Sequence, residues 1–150
     1  MDMRFSVPAA TPDLYKALHG VSAAITRSGL PQRLRHLIDL RVSQINHCAF
    51  CIDMHGREAL REGETQERLD ALAGWRQSPL FDPDEKAAFA WAEMLTRTEH
   101  GAVEQGLAEL RRHFSDGQVA ALTVAVATIN AWNRLGIAQF RDQPAAAAVA

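Results

Sequence analysis

Apolar residues recur along most of this chain at intervals of three and four, and no β-branched stretch alternates with polar residues over a strand length, so the pattern predicts helices throughout. The first runs from about Pro12 to Arg27, with Thr11 as N-cap and Leu14, Leu18, Val21 and Ile25 as its apolar stripe, and Gly29 ends it. Pro31 suits the first turn of a second helix, carried by Leu34, Leu37, Ile38 and Ile45 to about Asn46. A third is expected from close to Cys48 to Gly63, which has the character of a C′ residue. Thr65 caps a short fourth helix with Leu69 and Leu72, and a loop containing Pro79 follows.

Asp82-Pro83-Asp84-Glu85 joins an N-cap, a first-turn proline and a capping-box acid, and so marks the start of a fifth helix presenting Phe89, Ala92 and Leu95. Gly101 and Val103 introduce a sixth, with Leu107 and Leu110. Ser115, followed three residues later by Gln118, opens a seventh that runs to about Phe140. That last helix is apolar nearly all round, from Val119 and Leu122 to Leu135 and Ile137, and is expected to be buried on several sides or at a subunit contact. The tail, Gln143 to Ala150, is Ala-rich, has no stripe and is expected to fray.

The fold class is therefore all-α, a bundle of about seven helices. With 150 residues, 47% of them apolar, one domain spanning residues 1–142 is expected. Sixteen Lys and Arg stand against eighteen Asp and Glu, dispersed rather than gathered in a stripe, which argues against a nucleic-acid partner. Residues 1–10 carry one Arg and no sustained apolar run, unlike a secretory signal. The most apolar stretch, Val119 to Ala131, is interrupted by Thr123, Thr128 and Asn130 and is too short for a membrane span. The cytosol is the expected location. In that compartment two cysteines three positions apart point to redox chemistry or metal binding rather than to a structural disulfide framework.

The chemistry gathers in Asn46-His47-Cys48-Ala49-Phe50-Cys51-Ile52-Asp53-Met54-His55. At about 100° per residue, positions 48, 51 and 55 fall within an arc of roughly 60°, so both sulfurs and one imidazole share a helix face. A helix N-terminus favours a thiolate at Cys48, and His55 is placed to accept the Cys51 proton or stabilise its anion. Once either sulfur has attacked a peroxide or a disulfide, the other is placed to resolve it. A zinc site using His55 with His47 or His36 would lack the second half of a four-ligand set, and two inert, packed cysteines are the remaining alternative. Trp75, Trp91 and Trp132 read as packing, Asp53 and Glu58 as solvent-facing, and Arg134 as a buried guanidinium partnered across an interface.

The same residues resemble a known family. Leu40-Arg41-Val42-Ser43-Gln44-Ile45-Asn46, Cys48-Ala49-Phe50-Cys51, Asp53-Met54-His55 and Glu58-Ala59 are similar to the AhpD-like alkylhydroperoxidase core of the carboxymuconolactone decarboxylase superfamily. The similarity continues through Leu72-Ala73-Gly74-Trp75-Arg76, Ala90-Trp91-Ala92-Glu93 and Ile129-Asn130-Ala131-Trp132-Asn133-Arg134. The resemblance implies an antioxidant protein, assembled as trimers or hexamers, in which Cys51 is oxidised to the sulfenic acid, Cys48 is its proton donor and disulfide partner, and His55 relays protons. Where the family carries a glutamate twelve residues before the first cysteine, this chain has His36, so His36 is expected in the glutamate's role, oriented by Asp39.

The expected activity is that of a thiol peroxidase or disulfide oxidoreductase with a peroxide or disulfide substrate, an external dithiol reductant, no cofactor and no membrane partner. A decarboxylase or ring-opening enzyme of the same superfamily would not need paired thiols. A thiol sensor would change assembly on oxidation without turnover.

Overall fold

The computed structural model describes residues 2–141. Among them the only extended pairing is an isolated antiparallel bridge between Met3 and Phe140, and eight α-helices form the rest of the frame. They are α1 (Val7–Ala10), α2 (Pro12–Thr26), α3 (Gln32–Ile45), α4 (Ala49–Arg61), α5 (Gln66–Ala71), α6 (Pro83–Arg97), α7 (Val103–Leu110) and α8 (Asp116–Gln139). Seven match the periodic segments of the sequence, and α1 is additional. It is a single turn capped by Ser6, and the Thr11 hydroxyl bonds back to the Val7 carbonyl at 3.1 Å instead of capping α2. The tail expected to fray from Gln143 onward lies outside the described residues.

The boundary residues act as their chemistry requires. Ser115 Oγ accepts from the Gln118 backbone N–H (3.3 Å) while Gln118 Oε1 accepts from the Ser115 N–H (3.0 Å), a reciprocal pair that starts α8. Gly63, at φ +91°, ends α4 in the left-handed conformation that lets the Glu64 N–H reach the Ala59 carbonyl.

α3 and α8 form the centre. α8 packs on α2, α3, α4 and α6, and α3 packs on α4 and α6 as well. Their contact buries Leu37, Ile38 and Val42 of α3, Leu122, Val126 and Ile129 of α8, and Phe89 of α6. The apolar surround of α8 is thus used on several sides, although Val124 and Ile137 stay 46% and 49% exposed. Two buried glutamates tie the periphery together. Glu93 meets Arg41, Arg76 and Arg97 and accepts from Trp75 Nε1. Glu64 meets Arg33 and Arg68.

α2 departs from the sequence reading. Of its stripe only Ile25 is buried, while Leu14 (70% exposed) and Val21 face outward. The face turned to the cavity carries Tyr15, His19, Ser22 and Thr26, which find specific partners there, although His19 and Thr26 remain exposed and Leu18 is half-buried beside Ile25. Tyr15 and His19 cluster with Trp132, Ser22 Oγ accepts from Trp132 Nε1 (3.0 Å), and Arg35 Nη1 donates to the Ser22 carbonyl and Thr26 Oγ1. Among the described residues no helix is long and apolar enough to cross a membrane.

Candidate active site

The corner between α3 and α4 places the first cysteine. α3 stops with His47 in the left-handed region at φ +54°, its N–H bonding the Gln44 carbonyl, and the Cys48 N–H reaches back to the Ser43 carbonyl. This is the paired hydrogen-bond closure of a helix C-terminus, and it leaves Cys48 as the N-cap residue of α4, as its sequence position predicts. A buried polar network pins the corner to α8. Asn46 Nδ2 donates to Asn130 Oδ1 and Asn133 Oδ1, both at 2.9 Å, and Asn133 Nδ2 donates to Ser43 Oγ at 2.9 Å. Asn133 is fully buried with these partners, so the network fixes one register of α8 against the cysteines.

That register brings Gly136 onto the sulfurs. Cys48 and Cys51 lie at disulfide-bonding distance, with Cα atoms 5.3 Å apart. A Cβ at position 136 would stand 3.0 Å from Cys48 Sγ and 3.2 Å from Cys51 Sγ. Any side chain there would press on both atoms, so the missing one makes room for the pair.

Cys51 borders a cavity of about 650 Å³ between α2, α3, α4 and α8. His55, one helical turn beyond Cys51 and 8% exposed, lines the same space. Its Nδ1 lies 3.1 Å from Glu58 Oε2, so Nδ1 donates to that carboxylate and Nε2 is left as the basic atom. Nε2 is buried with no hydrogen-bond partner. Glu58, expected to face solvent, is half-buried and orients the histidine because i+3 spacing brings its carboxylate back over the ring. Asp53 is exposed as expected and pairs with Arg57. The far wall is apolar and aromatic, and it includes Trp132, which therefore borders the cavity as well as packing.

His36 also lines this cavity, with Nδ1 buried and unpartnered. The expected link from Asp39 to His36 is not formed. Asp39 pairs with Arg35 (Nε to Oδ2, 3.4 Å), four residues away on its own helix, and no hydrogen bond joins it to His36 among the described residues. Burial pushes the Asp39 carboxyl above the usual carboxylate range, with the charges of His55, Arg35 and His36 pulling the other way.

Cys48 borders a different space. A more polar groove of about 530 Å³ runs past it, lined by His47, Asp53, Arg57 and Arg141, with Ile137 at its edge. Phe50 and Phe140, ring centroids 4.2 Å apart, border both this groove and the cavity, as does Gly136. Cys51, His55 and His36 therefore share one space, whereas Cys48 and His47 share another.

Sequence reasoning missed Gly136, the Asn46–Asn130–Asn133 network and the role of Glu58. Arg134, read there as buried, is exposed in the single chain and donates to the Asn130 carbonyl (2.8 Å) and side chain (3.0 Å) one turn earlier. The signals available were a glycine inside an otherwise continuous helix and two asparagines on its apolar surface.

Comparison with known proteins agrees with this architecture. Residues 12–94 match the carboxymuconolactone decarboxylase family. The chain is 35% identical over 139 residues to the uncharacterized protein YdfG of Bacillus subtilis strain 168, covering 92% of this chain and 95% of that one. A protein of unknown function from Agrobacterium tumefaciens, described as a candidate antioxidant defence protein AhpD, has the same fold with a TM-score of 0.86 and 37% identity, over 91% and 94% of the two chains. The debrominase Bmp8 shares the fold alone, with a TM-score of 0.78 and 22% identity over 87% of this chain and 70% of that one. With more than half its length matched by the family model and a relative aligned nearly end to end, this all-helical chain belongs to the carboxymuconolactone decarboxylase family and has the AhpD-like fold.

Proposed function

We propose that the protein is a thiol-dependent peroxidase or disulfide oxidoreductase of the AhpD-like type, serving antioxidant defence in a reducing compartment such as the cytosol. The observation that carries this reading is the Cys48–Cys51 pair at disulfide-bonding distance, with Cys51 and the free Nε2 of His55 on one cavity. In the oxidising half-reaction His55 takes the Cys51 proton, and the thiolate attacks the nearer peroxide oxygen. The O–O bond breaks, Cys51 becomes a sulfenic acid, and the alkoxide leaves with the proton held by His55. The Cys48 thiol then attacks that sulfur, water departs, and the disulfide forms. An external dithiol returns the two electrons.

His36 stands where the AhpD-like relay has a glutamate, and its unpartnered Nδ1 on the same cavity supports a proton-relay role. A His36→Ala protein with unchanged thiol pKa and turnover removes His36 from the relay. For the cycle itself, thiols are titrated before and after a stoichiometric peroxide pulse and the oxidised sulfurs are located by mass spectrometry. Loss of two thiols, located at Cys48 and Cys51, and turnover with a dithiol are expected. Activity of a double Cys→Ser protein on a carboxymuconolactone-like compound, with no thiol loss in the wild type, identifies instead a decarboxylase-type enzyme.

A further inference from the structure

The two cysteines of the pair, both buried, border two different spaces. Cys51 borders the large cavity with His55, and Cys48 borders the polar groove on the other side of Phe50, Phe140 and Gly136. We infer that the two half-reactions use opposite faces of the pair: oxidant reaches Cys51 through the cavity, and the external dithiol reaches Cys48 through the groove. This assignment rests on the thiol-redox reading above and adds to it which sulfur the reductant attacks and from where.

The chemistry of exchange favours that division. A thiolate attacking a disulfide displaces the other sulfur, and the sulfur whose anion is better stabilised leaves faster. Attack at Cys48 makes Cys51 the leaving group, on the side where His55 stands with Nε2 available. Attack at Cys51 would expel Cys48, which stands at the N-cap of α4 but makes no side-chain hydrogen bond to that helix end, and which borders the groove rather than the cavity that holds His55. The groove is polar, and along it Arg57 is paired to Asp53 and Arg141 to Asp2. His47 lies on the same side.

The reductive sequence balances. One thiolate of the dithiol bonds to Cys48 Sγ as the Cys48–Cys51 bond breaks, and the electron pair passes to Cys51 Sγ, which is protonated through His55. The second thiol of the reductant then attacks its own partner sulfur in the mixed disulfide and releases the Cys48 thiolate, which takes up a proton. The dithiol leaves as a disulfide, and both protein sulfurs end as thiols. Because the cavity takes no part in this attack, product remaining there does not block reduction.

The test uses the oxidised wild-type chain and glutathione, a monothiol whose mixed disulfide with the chain is trapped by early quenching, before the freed cysteine or a second glutathione resolves it. After brief exposure the reaction is quenched in acid, free thiols are alkylated with N-ethylmaleimide under denaturing conditions, and the peptide holding both cysteines is sequenced by mass spectrometry. Glutathione on Cys48 with the maleimide on Cys51 is expected in about tenfold excess over the reverse pattern, since the Cys51 anion leaves beside His55. Glutathione mainly on Cys51, or equally on both, overturns the two-face assignment while leaving the redox reading intact. A chain that loses no thiols to peroxide and yields no mixed disulfide overturns both. As a second measurement, Ile137→Trp, at the edge of the groove, is expected to slow reduction by glutathione far more than oxidation by peroxide. Equal slowing of the two overturns the groove as the route.

Discussion

Gly136 stands inside a 24-residue helix, where alanine would favour the helix by about 1 kcal/mol. The two sulfurs account for the glycine, since a methyl group there lies 3.0 and 3.2 Å from them. Gly136→Ala is therefore expected to lose the propensity gain to overpacking of about 1–3 kcal/mol, lowering the unfolding midpoint of the oxidised protein and slowing disulfide formation. Gly20→Ala is the contrast, because nothing approaches within 4 Å of a Cβ at that helical position, and it should stabilise by about 0.5–1 kcal/mol. Equal stabilisation by both substitutions would remove the steric account. Asp39 carries a second prediction. Its carboxyl is raised by folding, so its contribution to stability is full below its ordinary value and is lost as pH rises through the folded value. Asp39→Asn deletes that loss. The stability of the variant relative to wild type should rise with pH in denaturant titrations from about pH 4 to pH 8, and a falling difference would contradict the assignment. The cysteines, His36 and His55 were legible because their spacing is a property of one helix or of a family pattern. Gly136 and the asparagine network were not, since they act across a contact between α8 and the α3–α4 corner that sequence spacing does not encode.

Helices are where the sequence spoke most clearly, because proline, capping boxes and a positive-φ glycine sit at their ends and mark them locally. α1 escaped, since a single turn contains no period to detect. The orientation of α2 escaped in part: Leu14 and Val21 face outward while Leu18 is half-buried and Ile25 buried, and one residue round the helix Tyr15, His19 and Ser22 find partners on the cavity side. Interelement charge was the other hidden layer. Glu93 of α6 joins Arg41 of α3 and Arg76 beyond the Leu72–Gly74 turn, besides Arg97 of its own helix. Burial alone would raise its carboxyl, but the Trp75, Arg76 and Arg41 contacts outweigh that and hold it below the usual range. Its contribution is consequently present above the ordinary glutamate value and is lost as pH falls through the folded one. Glu93→Gln leaves the arginines without their shared anion and should cost about 3–5 kcal/mol near neutral pH. The gap to wild type should narrow as pH falls, the slope opposite in sign to that for Asp39→Asn, when both are followed by chemical denaturation.

At the scale of the whole molecule, the apolar surface left by this packing calls for a partner. Leu14 and Val21 stand exposed on α2, while the same helix covers the cavity with its other face, and Val124 and Ile137 stand exposed on α8. Large side chains scattered singly on a surface need no explanation, but two on one helical stripe do, since each fully buried side chain of this size contributes about 1.5–3 kcal/mol. Self-association through α2 would cover them, as the trimers or hexamers implied by the AhpD-like resemblance predict. Sedimentation equilibrium should therefore give a mass several times that of one chain, and a Leu14→Glu, Val21→Glu protein should shift toward the monomer. Because α2 also carries Tyr15 and His19 into the cavity, losing the partner should loosen this wall and slow oxidation of Cys51 by a bulky hydroperoxide more than by hydrogen peroxide. A wild-type chain that sediments as a monomer, or a double variant that keeps its assembly, would separate the exposed stripe from association and leave α2 as a wall of the cavity alone.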